Sequence, residues 1–216
     1  MIPPRRSSLF FEAHMMPLNE FEVIPINCLW VEPEQLIQII KCMDDQDEDR
    51  HWQYTKQRLD LKGVYFPAPL KGGGHLPKFT VWQPSNMSFG SALVPNYSDE
   101  LIQLMRHLNR RFHIRYFSAH LSHDHEKEGI CRFEHADETG AQRVVHVIRD
   151  QGWEFFDQGA ALPFEKPSYY QQRRIADRLT PAIVTVYLKS LGWNLEDEAF
   201  WKSKGDAWVV VKTKFR

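Results

Sequence analysis

The sequence predicts an α+β protein, an antiparallel β-meander with helices packed on one face and a small strand–helix unit at its N-terminus. An amphipathic helix begins after Ser98, with apolar residues at spacings of three and four. Runs of β-branched and aromatic residues of strand length follow it between residues 114 and 156. The connections between these runs are short and contain turn residues, which favours antiparallel strands that pair in chain order.

The first unit is predicted to span residues 1–58. The apolar run 26–31 is typical of a buried strand, and Pro33 followed by Glu34 is typical of the first turn of a helix. That helix has an apolar face and ends at the acidic segment 44–50, which is typical of a solvated loop. With 216 residues, 43% of them hydrophobic, the whole chain is long enough to form one compact domain.

Residues 59–79 are predicted to be a linker or loop. Three prolines and the glycine triplet at 72–74 exclude a long regular element from this segment. The triplet lacks the Gly-Lys-Ser/Thr ending of a phosphate-binding loop, and Pro77 prevents a helix from starting directly after it. The segment therefore separates the first unit from a main α+β unit at residues 80–216.

The main unit begins with the helix after Ser98. Ser98 is the predicted N-cap, and Asp99 and Glu100 complement the positive end of the helix dipole. Four predicted strands follow, and they form the meander. Their predicted ranges are 114–121, 130–135, 143–148 and 153–156. If the helix packs on one face of this sheet, the other face is left open to water or to a partner.

The C-terminal part is predicted to add two helices and a last strand. The first helix covers the polar run 169–179. The second has Thr180 as its N-cap and Pro181 as its first residue, and it ends at Gly192, where a left-handed conformation favours glycine. The apolar run within 207–215 predicts the last strand.

Composition limits the classes of partner and the compartment. Lys and Arg total 27 and Asp and Glu total 28, so no global cationic field attracts nucleic acid or anionic lipid. The first residues do not fit a cleaved signal peptide, and no apolar run is long enough to cross a membrane. Three widely spaced cysteines are typical of reduced thiols. These observations predict a cytoplasmic protein without membrane insertion.

One dense cluster of potential metal ligands occurs at the end of the first meander strand. His120, His123 and His125, with Asp124 and Glu126, provide the donors that zinc or another divalent ion needs. The segment also has the composition of an exposed hairpin loop, which favours a structure without metal. A metal-dependent hydrolase that uses these three histidines is kept as the alternative hypothesis.

Two further histidines are candidates for the same site. His135 shares a strand face with Cys131, and His146 shares one with Val144. If those two faces coincide, the imidazoles approach each other across neighbouring strands. The register that decides this is not set by the sequence.

No other catalytic pattern is found. The chain has no Gly-x-Ser-x-Gly elbow, and Cys131 lies in the middle of a predicted strand, where a buried and inert thiol is expected. No catalytic residue is nominated, no cofactor is expected outside the metal alternative, and a role as an enzyme is not favoured.

Aromatic residues are concentrated between residues 80 and 170, and arginines occur among them. These residue types dominate protein interfaces, and near-neutral charge without an RNA-binding motif favours a protein partner over nucleic acid. The predicted partner-binding residues are Arg110, Arg111, Arg115, Tyr116, Arg132, Arg149 and Trp153. A chain of this kind, α+β with few cysteines and no catalytic motif, is similar to many bacterial immunity or inhibitor proteins. The resemblance implies a protein-binding module that acts by binding its partner.

Overall fold

The computed structural model describes residues 23–44, 52–64, 77–96, 101–122 and 124–213. Its centre is a nine-stranded antiparallel sheet. The strands are β1 (Val23–Leu29), β2 (Trp52–Gln57), β3 (Lys78–Trp82), β4 (Ser91–Pro95), β5 (Tyr116–Ser122), β6 (Ile130–Ala136), β7 (Gln142–Arg149), β8 (Trp153–Gln158) and β9 (Ala207–Lys212). The helices are α1 (Pro33–Asp44), α2 (Leu61–Val64), α3 (Ile102–Phe112), α4 (His125–Glu128), α5 (Pro167–Tyr170) and α6 (Pro181–Ser190), with 3₁₀ turns at Ile175–Asp177 and Glu198–Trp201.

The predicted α+β class, the antiparallel meander and the N-terminal strand–helix unit are confirmed. The strand order is β2-β9-β3-β4-β1-β5-β6-β7-β8, so β5 to β8 pair in chain order. β1 lies in the middle of the sheet, paired with both β4 and β5. β2 pairs with β9 at one edge of the sheet. The first unit and the main unit therefore contribute strands to one continuous sheet.

Helices cover both faces of this sheet, whereas the sequence predicted them on one face. On the α6 face, inward residues of β1 and β5 such as Ile26 and Phe117 pack with Tyr187 of α6. On the opposite α1–α3 face, Tyr116 packs with Met105 of α3 and with residues of α1. Because β1 and β5 are buried on both faces, covering one face alone would leave apolar side chains in water.

The α1–α3 face is left uncovered over the last strands of the meander. Along β7 the burial alternates strictly, with Val145 and Val147 buried on the α6 face and Val144, His146 and Ile148 only half-buried on the other. This alternation shows that β7 has a packed core on one side and a surface open to solvent on the other.

Of the two helices predicted in the C-terminal part, the second forms as expected and the first does not. Thr180 caps α6 by accepting a hydrogen bond from the Ile183 N–H, and Gly192 follows it with a φ of 93°. The predicted helix over 169–179 is wrong, because only α5 and the 3₁₀ turn at Ile175–Asp177 form there. The polar residues 171–174 interrupt this run, and apolar residues on either side, among them Tyr170, Ile175 and Leu179, pack against the core from short turns instead of one helix. Ser98, Asp99, Glu100, the acidic residues 45–50 and the glycines 72–74 lie outside the described residues.

In the described ranges, no helix is both long and apolar enough to cross a membrane.

Candidate functional site

Four of the predicted partner-binding residues lie on the α1–α3 side. Arg110 and Arg111 are exposed on α3, and Arg132 lies on β6 with 22% of its side chain exposed. Tyr116 is fully buried beneath α3 and contributes to the core rather than to a surface. Three of these four residues are therefore available for contact.

The other three predicted residues lie on the α6 face. The Arg149 guanidinium lies 5.5 Å from the Trp153 ring, and its Nη2 donates to the Lys127 carbonyl at 3.1 Å. Arg115 stacks on the Trp30 ring at 4.2 Å. The predicted set thus divides between two faces of the sheet and does not form one continuous surface.

His135 is held neutral beside Arg115. The Arg115 Nε donates to His135 Nε2 at 3.2 Å, so this nitrogen must be an unprotonated acceptor. Burial and, to a smaller extent, the charge of Arg115 lower the pKa of His135 to about 4, although Asp137, Glu138 and Glu165 act in the opposite direction. The imidazole is therefore part of the packed structure rather than a titrating group near neutral pH.

This lowered pKa predicts a stability loss in mild acid. An unfolded chain takes up a proton on His135 as the pH falls below about 6.5, whereas the folded chain does so only near pH 4. The contribution of His135 to the free energy of unfolding is therefore fully present above pH 6.5, and it falls by up to about 3 kcal/mol by pH 4. The His135→Gln variant keeps an acceptor for Arg115 and removes the titration, so urea unfolding should depend less on pH over this range. An identical pH slope for both proteins would contradict the assignment.

A buried carboxylate organises the α1–α3 face. The Glu134 side chain is fully buried, and its oxygens accept from Arg106 Nε at 2.9 Å and Arg106 Nη2 at 2.7 Å. The Tyr116 hydroxyl donates to the same carboxylate at 2.5 Å, and Arg132 Nη2 lies 3.5 Å from it. Burial and this hydrogen bond both raise the pKa of Tyr116, so the hydroxyl stays a donor. The carboxylate therefore ties α3 to β5 and β6.

A row of polar and aromatic side chains crosses the α1–α3 face next to Glu134. The strand register aligns His120, Arg132, His146 and Phe156 side by side on β5 to β8. The rings of His146 and Phe156 stack with centroids 4.7 Å apart and an interplanar angle of 11°. Burial and the nearby Arg132 lower the pKa of His146, so its imidazole is neutral and pairs with Phe156 as an aromatic ring.

We call the uncovered part of this surface the open face. Its residues are Arg132, Val144, His146, Ile148, Glu154 and Phe156. All of them are half-buried or exposed, and Phe156 is 41% exposed. Of these six residues, Arg132 is the one that belongs to the partner-binding set predicted from the sequence. The other five follow from the alternation of side chains along β7 and β8, but only once it is known which side of these strands packs against the core.

The metal-site histidines are not brought together by the described part of the chain. His120 points to the α1–α3 face, whereas His125 Nε2 lies 3.0 Å from the Ala176 carbonyl, beside the α6 face. His135 and His146 lie on opposite faces of the sheet. His123 lies outside the described residues, and among those described no group of three or more His, Cys, Asp or Glu side chains can hold a metal. The metal-dependent alternative gains no support from this geometry.

A second buried charge pair, which is not among the residues predicted from the sequence, lies on the α6 face. Arg143 of β7 is 3% exposed, and its Nη2 donates to Glu165 Oε2 at 2.7 Å. Its Nη1 donates to Asp157 and to the Gln158 and Gly159 carbonyls. Arg143 points to the same face of β7 as the buried Val145 and Val147. A charged residue in line with two core valines is the feature of the sequence that indicates a buried ion pair here.

Among the residues that the structure describes, two cavities flank α3. One, of about 350 Å³, lies between α1 and α3. The other, of about 320 Å³, lies between the end of α3 and the β6–β7 turn and includes Thr139 and Gly140. Arg110 lines both cavities, so its side chain lies between them.

Comparisons of this chain with protein-family models, curated proteins and solved structures give no match.

Proposed function

We propose that this chain is a cytoplasmic protein-binding module of the immunity or inhibitor type, which binds its partner protein through the open face. The observation that carries the proposal is the row of Arg132, His146 and Phe156, flanked by Val144 and Ile148, on strands whose other face belongs to the hydrophobic core at β6 and β7. Aromatic and arginine side chains at the centre of a patch are the residues that contribute most to protein interfaces.

The open face is organised before a partner arrives. Its strands belong to a continuous antiparallel meander, and Glu134 holds Arg132 from below while anchoring α3 through Arg106. A surface with fixed side chains loses less conformational entropy on binding than a mobile one. This favours tight binding by an area of modest size.

The chemistry of the open face defines the contact surface of the partner. Val144, Ile148 and Phe156 present apolar area, and His146 adds a neutral ring. Arg132 reaches the surface at one end of the row, and Glu154 lies at the edge strand. We infer a partner that places an apolar or aromatic side chain over Phe156 and a carboxylate next to Arg132, because this arrangement complements both the apolar area and the positive charge.

Free thiols are compatible with the cytoplasmic location in the proposal. Cys28 and Cys131 are buried and Cys42 is exposed. Burial raises the pKa of the Cys28 thiol, which makes it unreactive. Thiols of this kind persist in a reducing compartment.

The substitution Phe156→Ser tests the open face. The protein, tagged and expressed at its native level in its source organism, should purify with a stoichiometric partner chain. Phe156→Ser should lower the recovery of that chain at least about tenfold, because truncating an aromatic hot spot at the centre of an interface weakens binding by about 2 kcal/mol or more.

Phe89→Ser is the matched control for this experiment. Phe89 is 46% exposed, close to the 41% of Phe156, but it lies in the β3–β4 connection rather than on the open face. The control should retain the partner at the level of the unsubstituted protein. Equal loss with both variants, or no stoichiometric partner at all, would refute the proposal.

A further inference from the structure

We propose that the cavity between α1 and α3 is a binding site for an amphipathic carboxylate, a small molecule with an apolar chain or ring that ends in a carboxylate. The site is separate from the open face, and the proposal does not rest on the proposed function. It rests on the size of the cavity, its apolar walls and the arginines of α3.

The cavity has the size and the apolar walls of a small-molecule site. Its volume of about 350 Å³ lies within the range of roughly 300–1,000 Å³ that is usual for ligand pockets. Trp52 and Phe79 contribute from the sheet, Ile40 and Met43 from α1, and Leu104 from α3. An apolar chain of moderate length would exchange water for contact with these side chains.

The α3 wall supplies positive charge. Arg106 and Arg110 line the cavity from one side of the helix, together with His107, because residues three and four apart lie on the same helix face. Arg106 uses Nε and Nη2 for the buried Glu134, so its Nη1 donors are left for a ligand. In the described part of the chain, Arg110 has no carboxylate partner of its own.

The arginines of α3 favour an anionic ligand, and their position determines how this ligand is oriented in the cavity. Asp44 is the acidic residue found among the described lining residues, and it lies on the α1 wall, where it accepts a hydrogen bond from Tyr54 at 3.3 Å. Glu134 already pairs with Arg106 and holds it in place, so Arg110 is the cation on the α3 wall that a ligand carboxylate would neutralise. A carboxylate therefore binds next to Arg106 and Arg110, with its apolar part toward Phe79 and Trp52. Hydrogen bonds between guanidinium and carboxylate are among the stronger ones in proteins.

Isothermal titration with three ligands of the same chain tests the site. Decanoate, below its micelle concentration, should bind at least about tenfold more tightly than decanol or decyltrimethylammonium, since only decanoate supplies the charge that the arginines attract. Leu104→Trp fills the cavity and should abolish decanoate binding. Arg110→Gln should weaken it about tenfold.

Arg111→Gln is the matched control, because Arg111 is exposed on the same helix but does not line the cavity. This variant should bind decanoate as the unsubstituted protein does. Circular dichroism should show all variants folded. Equal affinity for the three ligands, no binding of decanoate at millimolar concentration, or equal weakening by Arg110→Gln and Arg111→Gln would overturn the proposal.

Discussion

Replacing Arg143 by methionine should destabilise the folded protein by about 3–5 kcal/mol, the range typical of a buried ion pair that loses one partner. The Glu165 side chain is fully buried and accepts three hydrogen bonds from Arg143, at 2.7 to 3.2 Å. Without the guanidinium, the donors that remain to the carboxylate among the described residues are the Leu162 N–H and the Tyr170 hydroxyl. Urea unfolding at pH 7 measures the loss. Hydrogen exchange should show it first in the segment after β8 that Arg143 ties to the sheet.

The pH dependence of the stability of Arg143→Met tests whether the unpaired Glu165 carboxylate causes the loss. Burial alone would raise the pKa of Glu165, but the bonds from Arg143, Leu162 and Tyr170 outweigh burial and hold this pKa below its usual value. In the native protein this stabilisation is therefore present above the ordinary glutamate pKa, about 4.3, and is lost as the pH falls below it. In Arg143→Met the carboxyl protonates readily, so the deficit relative to the native protein should shrink in acid.

Lys189→Met is a matched control, since Lys189 forms an ion pair of the same length with Glu196 on the surface, with 53% of the lysine side chain exposed. It should change stability by less than about 1 kcal/mol. If Arg143→Met unfolds at the same urea concentration as this control, the pair does not stabilise the fold.

Replacing Glu134 by alanine should destabilise the protein by about 3 kcal/mol. The substitution leaves Arg106 and Arg132 without their carboxylate and removes the acceptor of the buried Tyr116 hydroxyl. We place the loss at the lower end of the range for buried pairs, because Arg106 is 31% exposed and water can partly solvate it. Thermal and urea unfolding measure the effect.

Two further variants distinguish the effect of unpaired charge on stability from the effect of shortening a glutamate side chain. Glu138→Ala changes an exposed glutamate on the β6–β7 turn and should alter stability by less than about 0.5 kcal/mol. The pair Glu134→Leu with Arg106→Met removes the carboxylate together with its bidentate partner and should recover part of the loss, although Arg132 and the Tyr116 hydroxyl still lack Glu134. If the double variant is less stable than Glu134→Ala, unpaired charge is not the cause.

The meander shows how much of the fold local sequence determines. The four runs between residues 114 and 156 form strands close to their predicted bounds, because β-branched residues, aromatics and turn residues act through near neighbours. The same holds for α6, whose cap at Thr180 and end at Gly192 depend on backbone groups within one turn. Residues 169–179 show the opposite case, because their apolar side chains pack against the core without forming the helix expected there.

The candidate site was predicted less completely than the fold. Arg110, Arg111 and Arg132 lie where a partner can reach them, but Tyr116 is core. Val144, Ile148 and Phe156 were not nominated, because a strand read by itself does not show which of its two faces meets the core.

The sequence by itself determined the α+β class, the order of the meander strands and the capped helix α6, since each depends on interactions between residues close along the chain. Only the tertiary structure decided that β1 lies between β4 and β5, that helices cover both faces, and that the open face remains. It also decided the pairs Arg106–Glu134 and Arg143–Glu165, whose partners are 28 and 22 residues apart. The register and face of each strand follow from burying apolar area across the whole sheet, and a buried charge is stable only where that global packing supplies its counterion.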